Sequence, residues 1–167
     1  MTIIINHDAF GSLVSHSREG YEIKGKKEAG GHLLGHYKNG KFTVIEAVPY
    51  NTPKATRSSW DPNWTNFERE GSRLERETRL SWLGVYHSHP ETGGYASARP
   101  SSEDIESFMD STHTIELIVR ISANIKKVPD GCCEAIGLET KYQYVICGYC
   151  KMNGKIEGVL VECAKDS

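Results

Sequence analysis

A chain of 167 residues, 38% of them hydrophobic, can bury one substantial core and is too short for two ordinary ones, so a single domain over residues 1–167 is expected. Lysine and arginine number 20 against 22 aspartates and glutamates, for a net charge of −2, and without a basic run or stripe this excludes nucleic acid as an expected partner. The N-terminus MTIIINHDAF lacks a basic segment followed by a signal-length apolar run, and no apolar stretch reaches bilayer length, which predicts a soluble, cytoplasmic protein with no membrane partner.

Residues Ile3 to Ile5 read as a short strand, and Asp8 as the N-cap of a helix with Phe10, Leu13 and Val14 on one side. EAGGHLLGHY, the turn KNGK and KFTVIEAV predict an antiparallel pair over residues 28–48, stopped by Pro49 and Pro53. Asp61-Pro62 has the chemistry of an N-cap followed by N1. From there Trp64, Phe67, Gly71 and Leu74 recur at helical spacing towards Leu80, with Glu75 and Arg79 as an i,i+4 pair. SWLGVYHSH alternates as a strand with Leu83, Val85, His87 and His89 on one face and Trp82, Gly84 and Tyr86 on the other, ended by Pro90. Ser101 opens a third helix with Ile105, Phe108 and Met109 as its buried stripe, followed by the apolar strand TIELIVRIS. The chain closes on a hairpin around Asn153-Gly154. This order predicts an α/β fold, a mixed, largely antiparallel sheet sandwiched by helices. The five cysteines, an odd number in a chain able to form a core, are expected as reduced thiols.

The chemistry concentrates in GVYHSHPETGGYASARPSSED, residues 84–104. Side chains two apart on a strand share a face, so His87 and His89 can bring two ring nitrogens to one point. Asp104, at the start of the next helix, can add a carboxylate if the 90–100 loop folds back. Two imidazoles, a carboxylate and an open position make a hydrolytic rather than a structural metal site. Each piece also has an ordinary reading: His-x-His arises by chance, and Ser101-Ser102-Glu103-Asp104 is by itself a helix capping box.

Taken together, Glu28 before GGHLLG, HSHP at 87–90 and SSED at 101–104 resemble the signature of the JAMM/MPN metalloproteases, from near the N-terminus to about residue 125. The resemblance implies a cytidine-deaminase-like α/β architecture, a Zn2+ ion held by His87, His89 and Asp104, Glu28 as general base, and Ser101 donating a hydrogen bond to the oxyanion. Fourteen residues, Pro90 through Glu103, separate His89 from Asp104, more than in the family's commoner form, and a lid is one use for the extra loop. The sequence is most similar to small standalone bacterial members that accompany ubiquitin-like conjugation systems in anti-phage islands. That likeness implies an isopeptidase or peptidase acting at the C-terminus of a ubiquitin-like protein or its conjugate, with E1- or E2-like conjugating proteins as partners. The substrate tail is expected along a sheet edge beside the active strand. The alternative is a metal-free MPN-type scaffold in a larger complex, which the presence of all five site residues disfavours.

Rival assignments are weaker. Glu46 competes with Glu28 as base but stands apart from the Gly-Gly-x-Leu-Leu-Gly segment. His32 and His36 are expected to be structural or exposed, as are His7, His16 and His113. Cys147 and Cys150, three apart in a strand, point to opposite faces and cannot chelate together. A zinc nucleobase deaminase needs a Pro-Cys-x-x-Cys helix start to complement His89-Pro90-Glu91, and the chain has none.

Overall fold

Ile3 and Ile5 lie at the centre of the fold. In the computed structural model, which describes residues 1–92, 97–136 and 141–164, β1 (Thr2–Ile5) turns both of them fully inward. The chain continues through α1 (His7–Glu22), β2 (Gly30–Lys38), β3 (Lys41–Pro49), α2 (Trp64–Thr78), β4 (Ser81–Pro90), α3 (Ser102–Asp110), β5 (Ile115–Ser122), β6 (Cys133–Ile136), β7 (Gln143–Met152) and β8 (Lys155–Cys163). The strands form one eight-stranded sheet in the order β5-β4-β2-β3-β1-β8-β7-β6, and β5 also pairs with β7, so the sheet curls until it closes. β1 runs parallel to both β3 and β8, and β4 parallel to β5, while β2 is antiparallel to both β3 and β4.

The two hairpins form as expected, because their turns are Asn39-Gly40 and Asn153-Gly154. All four residues have positive φ, between 50° and 76°, as a two-residue turn between twisted strands requires. α1 lays Ala9, Leu13 and Tyr21 against Ile3, Ile5, Leu33, Val44 and Leu117 in the main core. A second cluster, of Trp60, Phe67 and Val85 with Trp64 and Trp82, joins α2 to β4. Among the described residues no helix is long and apolar enough to cross a membrane.

Several local expectations are corrected. The cap of α1 is Asn6, whose side chain accepts from the Ala9 amide at 2.8 Å; Asp8 lies in the first turn, where its charge still suits the helix end. α2 begins after Asn63, which accepts from the Asn66 amide, and Asp61 accepts instead from the Trp64 indole at 3.2 Å. Arg79 caps that helix in the left-handed region, its amide donating to Glu75 O at 2.9 Å; the Glu75 carboxylate accepts from the Trp82 amide at 2.6 Å, and ion pairs on the helix join Arg73 to Glu70 and Glu77. The strict alternation expected for β4 fails at Leu83. β2 pairs Leu33 with Gly84 but Leu34 with Trp82, leaving Leu83 as the extra residue of a bulge. Trp82 and Val85 therefore face α2, while Leu83 and Tyr86 join the main core. On α3 only Phe108 is buried; Ile105 and Met109 stay 43% and 38% exposed, because the helix packs through the Phe108 ring, stacked on His113, while its outer side meets solvent.

The expectation of reduced cysteines is also overturned. Cys132 bonds to Cys147 and Cys133 to Cys163, with Cα separations of 4.6 and 6.2 Å, and Cys150 is the free, buried thiol among the described residues. β6 brings about the approach by pairing Cys133 opposite Ile146 on β7. Cys147 and Cys150 do face opposite ways, the first into an outer cluster with Ala98 and Val145, the second into the main core.

The adjacency of β4 and β5 demands Gly84. A Cβ there would overlap the Ile115 carbonyl oxygen across the strand pair. Gly84→Ala is expected to lower unfolding stability by about 1–3 kcal/mol, read as a shift in urea midpoint at unchanged slope.

Candidate metal centre

Strand register brings the site together. β4 ends at Pro90, and because β5 runs parallel to it, the chain must cross over through α3, whose first turn starts beside the end of β4. On the other side β2 is antiparallel, with Gly30 opposite His87. Two residues further along the same register, Glu28 comes opposite His89. The pairing continues past the regular strand, since the Ser88 amide donates to Ala29 O at 2.7 Å and the Ala29 amide donates to Ser88 Oγ at 2.8 Å. Ser88, fully buried, is the positioning residue that motif reading missed. The double glycine after Ala29 has its own reason: a Cβ on Gly30 would strike the Trp60 indole, and one on Gly31 the Tyr86 ring and the Val48 carbonyl.

His87 Nε2 and His89 Nε2 are 3.1 Å apart, and the two oxygens of Asp104 lie 3.3 Å from one imidazole each. The three residues offer donor atoms within 4.8 Å of one another, the arrangement of a metal site. Donors about 2.0–2.1 Å from a tetrahedral ion are themselves about 3.3 Å apart, close to the spacing of the two imidazole nitrogens and of each nitrogen from its Asp104 oxygen. The outer shell fits as well. His89 Nδ1 lies 2.7 Å from the Ser97 carbonyl, which can only accept, so the proton sits on Nδ1 and the Nε2 lone pair points to the site. Ser101 caps α3: its Oγ accepts from the Asp104 amide at 3.1 Å, while its own amide donates to Asp104 Oδ2 at 2.8 Å. The capping box and the ligand set are thus one structure, the cap fixing the carboxylate and leaving the Ser101 hydroxyl proton without an acceptor among the described residues.

Glu28 is only 6% exposed. Its Oε1 is 3.9 Å from His89 Nε2, outside the three-ligand group but within reach of a water between them. Burial pushes its carboxyl up to about 8, Asp104 and Glu103 adding to the rise and His89 opposing it. Burial alone would also raise Asp104, but its hydrogen bonds to both imidazoles hold it far below the usual carboxylate range. For His89 burial works downward and is outweighed by Asp104 and Glu28, so the imidazole is raised.

The remaining histidines stay out of the site. His32 is buried and stacked on Phe67, neither ring nitrogen hydrogen-bonded among the described residues and Nε2 3.8 Å from Glu70, and burial with help from Arg73 pushes it down to about 4. His36 and His7 are exposed on the surface, and His16 Nδ1 is bonded to the Tyr86 hydroxyl at 2.7 Å. His113 is buried against Glu116 at 2.8 Å. Glu46 is exposed on β3. Glu91 accepts from the Ala123 amide, tying the end of β4 to the end of β5 rather than facing the metal ligands. Of the 90–100 loop expected as a lid, residues 93–96 lie outside the described residues. The expected free sheet edge is absent: β4 lies between β2 and β5, and β5 between β4 and β7.

The signs of these shifts predict a pH dependence. Glu28 and His89 are raised above their ordinary values of 4.5 and 6.5, so the stability each contributes is complete below those values and lost as pH climbs through the folded-state values. Asp104, lowered from 3.8, contributes above that value and loses its contribution only in strong acid. The metal-free chain should therefore lose Tm between about pH 5 and about pH 9, and a bound divalent cation should flatten the loss. Calorimetric scans with and without metal check this. A Tm of the metal-free chain that rises across the window would contradict it.

A family model described as prokaryotic homologs of the JAB domain matches residues 7–148, which include Glu28, both histidines and Asp104. Comparison with curated proteins finds no match. Among solved structures, the solution structure of protein DSY2949 from Desulfitobacterium hafniense superposes with a TM-score of 0.66 over 98% of this chain and 94% of that one, at 17% identity, a likeness of fold. With the match spanning the whole of the site, the chain belongs to the prokaryotic branch of the JAB family, the JAMM/MPN fold.

Proposed function

We propose that the protein is a zinc-dependent peptidase or isopeptidase that hydrolyses an amide at the C-terminus of a ubiquitin-like protein or its conjugate. The observation that carries the reading is the spacing of His87, His89 and Asp104, 3.1–3.3 Å between donors, with buried Glu28 beside them. Two imidazoles and one carboxylate are a donor set suited to Zn2+, which would supply Lewis acidity and acidify water at its open position.

The chain's own residues then divide the work. Glu28, held over the site by the Ser88–Ala29 pair, takes a proton from water and passes it to the leaving amine. Its raised proton affinity falls once a cation sits nearby, which couples the base to metal loading. Ser101 has a hydroxyl proton to donate to the developing oxyanion. No side chain attacks the substrate, so no acyl-enzyme forms. A ubiquitin-like substrate, E1- or E2-like partners, a role in anti-phage defence and a cytoplasmic setting follow from the resemblance of the three motifs to those of small bacterial members.

Glu28→Ala is expected to retain about one zinc per chain and lose about 10²–10⁴-fold in turnover, whereas His87→Ala loses both. Zinc content by atomic absorption and cleavage of a conjugate assembled from the protein's own genomic neighbours are the measurements. Near-normal turnover by Glu28→Ala would refute the base assignment, and a wild-type chain that takes up no metal at neutral pH would favour the scaffold alternative. Ser88→Ala should keep the metal while reducing turnover about tenfold, because only the placement of Glu28 changes.

A further inference from the structure

The metal-facing side of the fold opens between α2 and α3 into two adjoining cavities. The inner, of 220 Å³, has His87 and Asp104 on its wall beside the indoles of Trp60 and Trp64. The outer, of 410 Å³, shares Trp64, Glu103 and Ser107 with it and continues along α3. Besides the ligand Asp104, the charged groups lining the two are Asp61, Glu68, Glu103, Glu106, Asp110 and Glu116, and no lysine or arginine is among the described lining residues. Lys151 is committed elsewhere, donating to the Phe108 and Ser111 carbonyls at the end of α3.

Glu116 shows that this is more than a solvated acidic face. It is only 4% exposed yet lines the inner cavity. One oxygen is bonded to His113 Nε2 at 2.8 Å, and the carboxylate has no further partner among the described residues. Burial pushes it up to about 7, with the charges of His87, Lys151 and His89 opposing the rise and Asp104 adding to it, and burial pushes His113 down to about 3. A carboxyl buried this deeply and facing a cavity is compensated when a cation enters. Across the site the sign reverses: Glu28 lines a separate cavity of 300 Å³ together with Lys24 and Lys27.

We propose that the trough between α2 and α3 binds lysine or arginine side chains of the substrate, on one side only of the scissile amide. The alkyl stem lies on Trp60 and Trp64, whose faces also attract a cation, and the charge meets the carboxylates of the outer cavity. The placement of the trough relative to a scissile bond rests on the amide-hydrolase reading, but its preference for basic segments does not.

The test uses the zinc-loaded full chain and fluorescein-labelled peptide amides of equal length carrying a pair of lysines, glutamines or glutamates, walked along the peptide. At low salt the lysine peptide should bind at least tenfold tighter than the glutamate peptide, by anisotropy, with the gain confined to positions on one side. Glu68→Gln with Glu106→Gln, both away from the ligand group, should weaken lysine-peptide binding about tenfold with zinc content and Tm unchanged. Equal binding of the three peptides, no measurable binding of the lysine peptide, or an unaltered double variant would overturn the proposal. Cleavage without charge preference would overturn the trough and leave the hydrolase reading standing. Charge-selective binding with no cleavage of any peptide or conjugate would do the reverse.

Discussion

Two hydrogen bonds between Ser88 and Ala29, 2.7 and 2.8 Å long, hold the glutamate-bearing end of one strand against the histidine-bearing end of another. A sheet register is all or nothing: a slip of one residue turns every side chain to the opposite face. With Gly30 opposite His87, Glu28 and His89 meet on the same face, and a slip of one residue would turn them to opposite faces. The glycines that follow Ala29 protect this register, since Trp60 and Tyr86 occupy the space that their side chains would fill. The centre is thus a consequence of how β2 and β4 are zipped.

The same zipping sets up an electrostatic tension. Glu28 and Glu116 are buried carboxyls, and both are raised by burial, while Asp104 keeps its charge through its bonds to two imidazoles. A set of buried acids around a pair of ring nitrogens 3.1 Å apart is stable when a positive charge stands among them, as a proton at low pH or as a divalent ion. The core around α1 and the closure of β5 onto β7 supply the rigidity that keeps these groups from relaxing apart when neither is present.

Among the described residues the strand that carries both histidines has no free edge. Closure of the sheet pairs both sides of β4 and of β5, so an extended segment cannot join the histidine-bearing strand by backbone pairing. The open space beside the site lies instead beneath α2 and α3, where two indoles and a row of carboxylates line it. Disulfides tie the short β6 segment to β7 and β8 through Cys132 and Cys133, and Cys132 and Cys147 pack with Ala98, next to the Ser97 carbonyl that meets His89.

The sequence by itself determined the element order apart from the short β6, both Asn-Gly hairpins and the grouping of His87, His89 and Asp104, because each is written in neighbouring residues: a two-residue turn, a two-residue alternation, a Ser-x-x-Asp cap. The motif around Glu28 also singled out the glutamate that lies buried beside His89 rather than exposed Glu46. Only the tertiary structure decided which strands adjoin, and with that the bulge that turns Trp82 towards α2, the solvent exposure of Ile105 and Met109 and the pairing of four cysteines. Ser88 belongs to the same class: in the sequence it is the spacer between two histidines, and its role exists only where Ala29 faces it. The acidic trough likewise gathers residues from α2, α3, β5 and the loop before α2, and segments so far apart in the chain leave no local pattern, since their common surface arises only when the sheet closes and the helices pack upon it.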